Sequence, residues 1–427
     1  MKKVCSFLFA ILTLCLIPLS GHTAGLWLYE QAAPDMGLAA AGRAALAQDA
    51  STAASNPAGM TRLEGNQLEA GFLGLLVSAK FSADSATFAA GNGGDSGDFV
   101  PVGSVSYVHS VNPDLKLGFT LGSYFGLGMD YGESWSGRYY IQTGDLVTMG
   151  INPNIGYRVN DWLSLGAGFS ILRGELTQEV AINNNPLGIG TTPDGKLKLD
   201  SNDVGYGYNL GVLVELREGT RFGLTYRSAI DLEFEDAARA TNLSPGLDTL
   251  LNLILGPSRQ VNMDLTVPQA VMFSAYQQLN DQWAIMGNIG WQDQSEFGKS
   301  NISLASNVST TVTADRNFED TWHFALGTQY RFAPPWLLSL GFAYDESPVS
   351  TRYRTPDMPL DRQIRYATGI QYDLNEAVTL GAAYTYVDAG KAAISQSAAD
   401  NPLRGGLAGD YSTNHLHAFN LNVIYRF

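Results

Sequence analysis

Histidines and cysteines are the residues that could support acid–base, nucleophilic or metal chemistry, but Cys5 and Cys15 both lie in the first 24 residues. The histidines beyond that segment are His109, His323, His415 and His417. A serine hydrolase needs a nucleophile, a histidine and a third group, and no serine near His323 stands in a recognisable motif. His415 and His417 share one strand face without a nearby carboxylate set. The sequence therefore predicts no enzyme: no catalytic residue, no metal site and no cofactor.

Charged residues on predicted strands form a second group. Arg227, Asp231 and Glu233 share the inner face of a predicted strand over 221–236, and Asp345 and Arg365 fall inward on two neighbouring strands. Structural ion pairs are the first interpretation. The alternative is that a cation beside an apolar pocket binds a carboxylate ligand, and the candidates for that role are Arg173, Arg227 and Arg316.

The amino terminus has the composition of a secretory signal. Lys2 and Lys3 precede an apolar run to Leu19 and a short polar segment, so residues 1–24 are predicted to be removed during Sec-dependent export. Removal of the two lysines lowers the formal net charge from −15 to −17. This acidic balance disfavours nucleic acid as a partner, and an exported mature chain without cysteine fits a Gram-negative envelope.

Alternation of apolar and polar residues dominates the remaining chain. In "HAFNLNVIYRF", Phe419, Leu421, Val423, Tyr425 and Phe427 fall on one face. Many such strands exceed the usual ~5–6 residues of soluble proteins, and aromatic residues stand at the ends of their apolar faces, as membrane girdles require. Because a bilayer cannot satisfy free backbone groups, an all-β membrane chain must close into a barrel.

Residues 67–427 are predicted to form a 14-stranded antiparallel transmembrane β-barrel. The predicted connections alternate between short turns and long loops, with the short turns on the periplasmic side. Pro268 falls inside predicted strand eight, over 261–279, and indicates a bulge. Residues 25–66 have neither strand nor helix periodicity and are rich in Gly, Ala, Ser and Asn.

Several stretches together resemble the FadL family of outer-membrane transporters for hydrophobic compounds. They include "GLGMDYGESW", "RFGLTYRSAIDLEFED", "FEDTWHFALGTQYRF" and "YDESPV", in family order along nearly the whole chain. The resemblance implies that residues 25–66 fold into the barrel lumen as a hatch, with Asn56, Pro57 and Ala58 as its motif. It also implies a monomer that takes long-chain fatty acids or other hydrophobic molecules inward.

Strand three, "LKLGFTLGSYFGLGMDYG", is unusually rich in glycine. Strict alternation places Phe125, Leu127 and Met129 outward and Gly126 and Gly128 inward. The family resemblance implies a kink in this strand that opens laterally to the bilayer, and Gly126 and Gly128 are the candidate site. The alternative is that inward glycines only make room for the hatch.

A predicted external loop over 237–260 is unexpectedly apolar. Leu247, Leu250, Leu251 and Ile254 fit helical spacing and form a candidate groove for ligand capture. The alternative is a helix that packs on the loop over 177–202.

The function that these features favour is passive uptake of hydrophobic small molecules across the outer membrane, with long-chain fatty acids as the first substrate class. The expected partners are that ligand, outer-membrane lipid and lipopolysaccharide. Aromatic hydrocarbons remain an alternative cargo. A receptor or adhesin with a closed hatch and an outer-membrane lipid hydrolase are the alternatives from other functional classes.

Overall fold

The computed structural model describes residues 31, 33–123, 125–185, 192–237, 239–255, 260–304 and 310–427. The predicted signal at 1–24 and the first residues of the predicted hatch lie outside this described part. Within it, no helix is both long and apolar enough to cross a membrane.

Strands account for most of the described chain. In order they are β1 (Gln67–Ala86), β2 (Phe99–Ser110), β3 (Leu115–Gly122), β4 (Gly126–Asp130), β5 (Thr143–Asn160), β6 (Leu163–Ile182), β7 (Gly195–Arg217), β8 (Thr220–Arg227), β9 (Ile230–Ala237), β10 (Arg239–Thr241), β11 (Gln260–Val267), β12 (Ala270–Gln278), β13 (Trp283–Gln292), β14 (Lys299–Leu304), β15 (Thr310–Asp315), β16 (Thr321–Ala333), β17 (Trp336–Asp345), β18 (Gln363–Asp373), β19 (Val378–Asp388), β20 (Ile394–Gln396) and β21 (Leu407–Arg426).

Fourteen of these strands form a closed antiparallel barrel in the described part of the chain, which confirms the predicted fold class. Each strand pairs with its neighbours in sequence, and β1 closes the circle against β21 from Gln67↔Arg426 onward. Of the other segments, β4, β10 and β20 extend the barrel sheet beyond local breaks, whereas β9, β11, β14 and β15 pair with one another. Closure satisfies the backbone edges that a bilayer would otherwise leave unpaired.

The outer surface of the barrel is apolar and bounded by aromatic residues. On β5 the exposed residues Val147, Met149 and Ile151 alternate with buried inner ones. At the end with the short turns, Trp283 stacks on Tyr330 with 4.3 Å between ring centroids. At the other end Trp291 is the cross-strand neighbour of Trp322. This pattern is that of a membrane barrel with a girdle at each interface.

The segment before β1 lies inside the barrel. It contains only short helical turns, at Pro34–Leu38, Arg43–Leu46, Thr52–Ser55 and Pro57–Arg62. Nearly all of its residues from 33 to 63 are buried, and its turns contact strands from β2 round to β21. A lumen of fourteen strands is too wide for wall side chains to fill, so this hatch, residues 33–66 of the described chain, supplies the missing core.

Predicted strands seven to nine are not continuous, contrary to the sequence prediction. The breaks fall between β8 and β9, at Pro268 between β11 and β12, and at the short helix Gln294–Phe297 after β13. Beyond the breaks, β9, β11, β14 and β15 form a separate four-stranded sheet, which we call the lid sheet. Its residues Ile230, Leu232 and Leu265 are buried in the apolar cluster that fills the long-loop end of the lumen.

Candidate functional site

Asn56 anchors the hatch to the barrel wall. Its side chain is fully buried. Its Oδ1 accepts a hydrogen bond from the Ala58 amide at 3.1 Å, while its Nδ2 donates to the carbonyl of Ala44 at 2.6 Å and to that of Val212 on β7 at 3.1 Å. Pro57 begins the next helical turn and supplies a fixed φ there. One amide side chain therefore joins two parts of the hatch to the wall.

Glycines on the inner wall form a flat seat for the Asn56-Pro57-Ala58 turn. A Cβ built on Gly156, Gly166 or Gly211 would lie closer than 3.0 Å to atoms of this turn. Because real Cβ atoms do not approach so closely, any side chain there would displace the hatch. Gly118 on β3 similarly makes room for Met60, as the alternative interpretation of the inward glycines expected.

Replacement of Gly166 by valine is therefore expected to dislodge the hatch and leave the barrel intact. The added atoms would overlap the Ala58 nitrogen and Pro57, and overpacking of this kind typically costs about 1–3 kcal/mol. Limited proteolysis of residues 33–66 in the folded barrel measures the change. Gly122→Ala is the matched control, because a Cβ at Gly122 meets only ordinary contacts at 3.5 Å or more. If residues 33–66 are equally protected from protease in both variants, these glycines do not form the seat of the hatch.

Wall arginines hold the hatch by its backbone carbonyls. Arg221 donates to the carbonyls of Ala45 and Leu46, both at 2.8 Å, and stacks over the Tyr276 ring at 3.6 Å. Arg158 donates to the carbonyl of Thr61. The sequence did not single out Arg158 or Arg221 as hatch contacts, because their hatch partners are about a hundred or more residues away along the chain.

Arg227, a predicted carboxylate partner, belongs to the same set of hatch anchors. Its guanidinium donates to the carbonyl of Ala54 in the hatch. The residues that were expected to share its face, Asp231 and Glu233, are exposed on the lid sheet. That expectation was wrong because the strand breaks after Arg227, and alternation does not continue across a break.

Strand three contains one extra residue at its break. Gly122 pairs with Gly150 and Gly126 pairs with Val147, so three residues on strand three face two on β5. The insertion reverses every later side chain. Gly126 therefore shares the outward face of Val147, while Leu127 pairs with the buried Leu146. The predicted inward position of Gly126 and Gly128, and the outward one of Phe125, Leu127 and Met129, were both wrong.

The same break leaves a gap in the pairing of the wall. β2 pairs with β3 only as far as Val105↔Leu121, and in the described chain β4 pairs only with β5. The next hydrogen bond across the gap runs from the Asp130 amide to the Ser96 carbonyl at 3.0 Å. A small pocket lies at this place, between Val102 and Gly122 of the wall and Ala54 of the hatch. The gap is thus closed on its inner side by the hatch.

An apolar pocket lies at the long-loop end of the lumen, between β4, β5, β6 and the lid sheet. Its cavity volume is about 40 Å³, and it opens toward solvent. Its apolar lining residues are Leu127, Ile141, Leu146, Leu176, Met263, Leu265 and Met358. Because Leu127 lies on β4, the pocket borders the strand that follows the gap.

Arg316 and Asp357 are the charged pair of this pocket. Arg316 donates to the Asp357 carboxylate at 2.7 Å. Burial raises the pKa of the Asp357 carboxyl, but the Arg316 guanidinium and a hydrogen bond from Thr355 outweigh burial and hold the pKa below its usual value. Asp357 is therefore ionised at neutral pH. In the described chain, the buried Nε of Arg316 has no hydrogen-bond partner.

The predicted loop helix spans Pro245–Leu255. Leu250 and Leu253 are 47% and 80% exposed, and Leu247 is half-buried. The side chains of Leu251 and Ile254 lie outside the described part. Asn184 ties the start of the helix to the preceding long loop through the Ser244 amide and the Asn242 carbonyl. Anchored at one end, the helix still exposes apolar surface at Leu250 and Leu253.

The other charged residues that the sequence analysis named form ion pairs within the barrel wall. Arg173 lies on the outer face of β6, half-exposed and 3.0 Å from Glu175, so it does not line the lumen. Asp345 and Arg365 form the expected ion pair between β17 and β18, and His323 joins it at 2.8 Å from Asp345. Of the three candidate arginines, Arg316 is the one that lines the apolar pocket described above.

Comparison with known proteins gives the same family along nearly the whole chain. A family profile described as outer membrane protein transport protein (OMPP1/FadL/TodX) matches residues 15–427. The long-chain fatty acid transport protein of Escherichia coli O6:H1 is 26% identical over 95% of this chain and 96% of its own length. Outer membrane protein P1 of Haemophilus influenzae is 25% identical over the same shares of the two chains.

Solved structures agree on the fold. A Pseudomonas aeruginosa FadL homologue superposes with a TM-score of 0.84 at 19% identity, covering 95% of this chain and all of its own. The Pseudomonas putida toluene transporter TodX superposes with a TM-score of 0.70 at 17% identity over 95% of this chain and all of its own. With the profile match, the plugged barrel and the interrupted third strand, these comparisons show that the chain belongs to the OMPP1/FadL/TodX family of outer membrane transport proteins.

Proposed function

We propose that this transporter takes long-chain fatty acids through the outer membrane by passive lateral diffusion. The observation that carries the proposal is the pairing of an apolar pocket with one guanidinium whose Nε is buried without a hydrogen-bond partner in the described chain. A fatty acid offers an apolar tail for the aliphatic lining and a carboxylate oxygen for that donor. The relatives named as long-chain fatty acid transport proteins support this cargo.

The route has three steps. The exposed leucines of the loop helix, Leu250 and Leu253, collect the ligand from outside, because burial of their surface against an apolar chain is favourable. The ligand then moves into the pocket beside Arg316. It leaves through the gap between β2 and β4, whose outer lip carries Gly126 and Gly128 and so presents no bulky side chain.

The hatch controls the last step. The turn at Thr52–Ser55 closes the inner side of the gap, and Arg227 holds this turn through the Ala54 carbonyl. A small shift of this turn would join the lumen to the gap without unfolding the barrel. This arrangement supports a hatch rearrangement rather than hatch release.

Aromatic hydrocarbons are the second candidate cargo. Asp357 already neutralises Arg316, so the pocket carries no net charge from this pair and suits an uncharged ligand. The structural similarity to a protein named as a toluene transporter favours the same class.

Two substitutions separate these cargoes. Arg316→Met is expected to weaken retention of oleate about tenfold, the effect of losing one charge-assisted hydrogen bond, and to leave toluene retention unchanged. Asp357→Asn is expected to strengthen oleate retention, because it removes the carboxylate that competes for the same guanidinium. Equilibrium binding of labelled oleate and toluene to the purified barrel measures both.

The outcomes also test the wider function. If both variants retain oleate like the parent chain, Arg316 does not bind the ligand carboxylate. If Arg316→Met weakens toluene retention as much as oleate retention, the substitution has disturbed the packing of the pocket. Oleate uptake by cells with and without the protein separates a transporter from a receptor or adhesin, which would bind ligand without delivering it.

A further inference from the structure

Two histidines and two tyrosines form a compact patch on the membrane-facing surface of β19 and β21. We call Tyr384, Tyr386, His415 and His417 the His–Tyr patch. His417 is the cross-strand neighbour of Tyr386 on β19. The two imidazole centroids are 5.0 Å apart, and Tyr386 lies 5.8 Å from His415 and 5.3 Å from His417.

The outward orientation of the patch follows from its strands. On β21 the inner positions Leu416, Ala418 and Asn420 are buried, whereas Phe419 and Leu421 on the other face are 48% and 63% exposed. His415 and His417 share that second face and are half-buried. Membrane-facing positions of a barrel are normally apolar, and polar groups there are tolerated only near an interface. A pair of imidazoles on this face therefore calls for a polar partner at the headgroup level.

The depth of the patch fits the outer leaflet. Tyr386 is the cross-strand neighbour of Tyr366, which belongs to the aromatic girdle at the long-loop end. Short turns face the periplasm in barrels of this kind, so the long-loop end faces outward. In the outer membrane, the lipid headgroups at this level are the phosphorylated sugars of lipopolysaccharide.

Hydrogen-bond donors converge on the same place. The Tyr384 hydroxyl lies 2.8 Å from Nδ1 of His417, and when it donates there the imidazole proton is on Nε2. Lys80 on β1 and Arg362 before β18 lie on the long-loop side of the patch. They pair with Asp95 at 3.6 Å and with Asp388 at 3.2 Å, and each cation keeps further N–H groups.

We propose that the His–Tyr patch, with Lys80, binds the phosphorylated sugar headgroup of lipopolysaccharide. The aromatic faces would stack on the sugar, and the imidazole N–H groups and the Lys80 ammonium would bind the phosphate. The carboxylates Asp95 and Asp388 face the same site and limit its net positive charge. Binding therefore depends on the stacking of the sugar on the aromatic rings as well as on the phosphate contacts. Of the proposed function, the inference uses only the outer-membrane location. It does not depend on which ligand the protein transports.

Lipid binding to the purified full-length barrel tests the site. In native mass spectrometry from mild detergent, the parent chain and the double variant His415→Leu, His417→Leu are titrated with diphosphoryl lipid A, with its dephosphorylated form and with phosphatidylglycerol. Leucine suits a membrane-facing position, so the variant barrel should fold. We expect the double variant to lose about tenfold in affinity for diphosphoryl lipid A, and dephosphorylated lipid A to bind the parent chain equally weakly.

The chain provides a matched control at the opposite interface. His109 is exposed near the short-turn end of β2, with its Nδ1 3.4 Å from the Tyr107 hydroxyl. His109→Leu removes a similar imidazole and should leave lipid A affinity unchanged. The proposal is overturned if the double variant binds lipid A like the parent chain, if His109→Leu weakens binding as much, or if phosphatidylglycerol binds the parent chain as tightly as lipid A does.

Discussion

Deletion of Ser123 should close the wall of the barrel and reduce uptake of hydrophobic ligand to the level of cells that lack the protein. The chain between Gly122 and Gly126 is one residue longer than the β5 segment between their partners Gly150 and Val147, and this extra residue accounts for the break. Removal of one residue would make strand three continuous without changing the register of β4. Leu127 would stay inward and Gly126 outward, and β4 could then pair with the edge of β2.

This deletion should also stabilise the protein, which separates it from a folding defect. Each new backbone hydrogen bond between β2 and β4 contributes about 1 kcal/mol net, so the thermal unfolding temperature should rise while uptake is lost. Ser123→Ala, which keeps the extra residue, should transport like the parent chain. Normal uptake by the stable deletion variant would rule out exit at strand three.

Replacement of Asn56 by alanine should open the hatch. The change removes three hydrogen bonds from a fully buried side chain and leaves the carbonyls of Ala44 and Val212 without their donor. Loss of these three hydrogen bonds would destabilise the closed hatch by about 3 kcal/mol. The fraction of barrels with an open hatch would then rise about a hundredfold. Ion conductance of single barrels in a planar bilayer is the measurement, and the variant should show frequent open events where the parent chain shows few.

The control for Asn56 is the residue that precedes it in the chain. Ser55 is half-buried, and Ser55→Ala is a smaller change in the hatch that leaves the three contacts of Asn56 in place. It should conduct like the parent chain. If Asn56→Ala remains closed, the wall arginines Arg158, Arg221 and Arg227 suffice to hold the hatch, and their substitution becomes the decisive experiment.

The fold was largely predictable because its main signals are local. Alternation with a period of two identifies a strand and its two faces, and long strands with aromatic ends indicate a membrane barrel. The fourteen-stranded barrel was confirmed on that basis. The loop helix at Pro245–Leu255 was equally visible, because its leucines repeat at helical spacing.

The contacts of the candidate site were less predictable because they join distant parts of the chain. Asn56 and Val212 are 156 residues apart, and Arg221 and Ala45 are 176 apart. Arg227 looked like a partner for a ligand carboxylate because only its charge and face were visible in the sequence. The hatch carbonyl that occupies it is visible only in the folded chain.

The sequence by itself determined an exported, alternating chain that must close into a barrel, together with the family to which it belongs. The tertiary structure alone decided which way Gly126, Gly128 and Leu127 face, that the lid sheet departs from the wall, and that Arg316 lies at the apolar pocket. The physical reason is that alternation fixes side-chain direction only within an unbroken strand. A single inserted residue, as at 123–125, reverses every side chain after it, and no local pattern marks where the partner strand omits its counterpart.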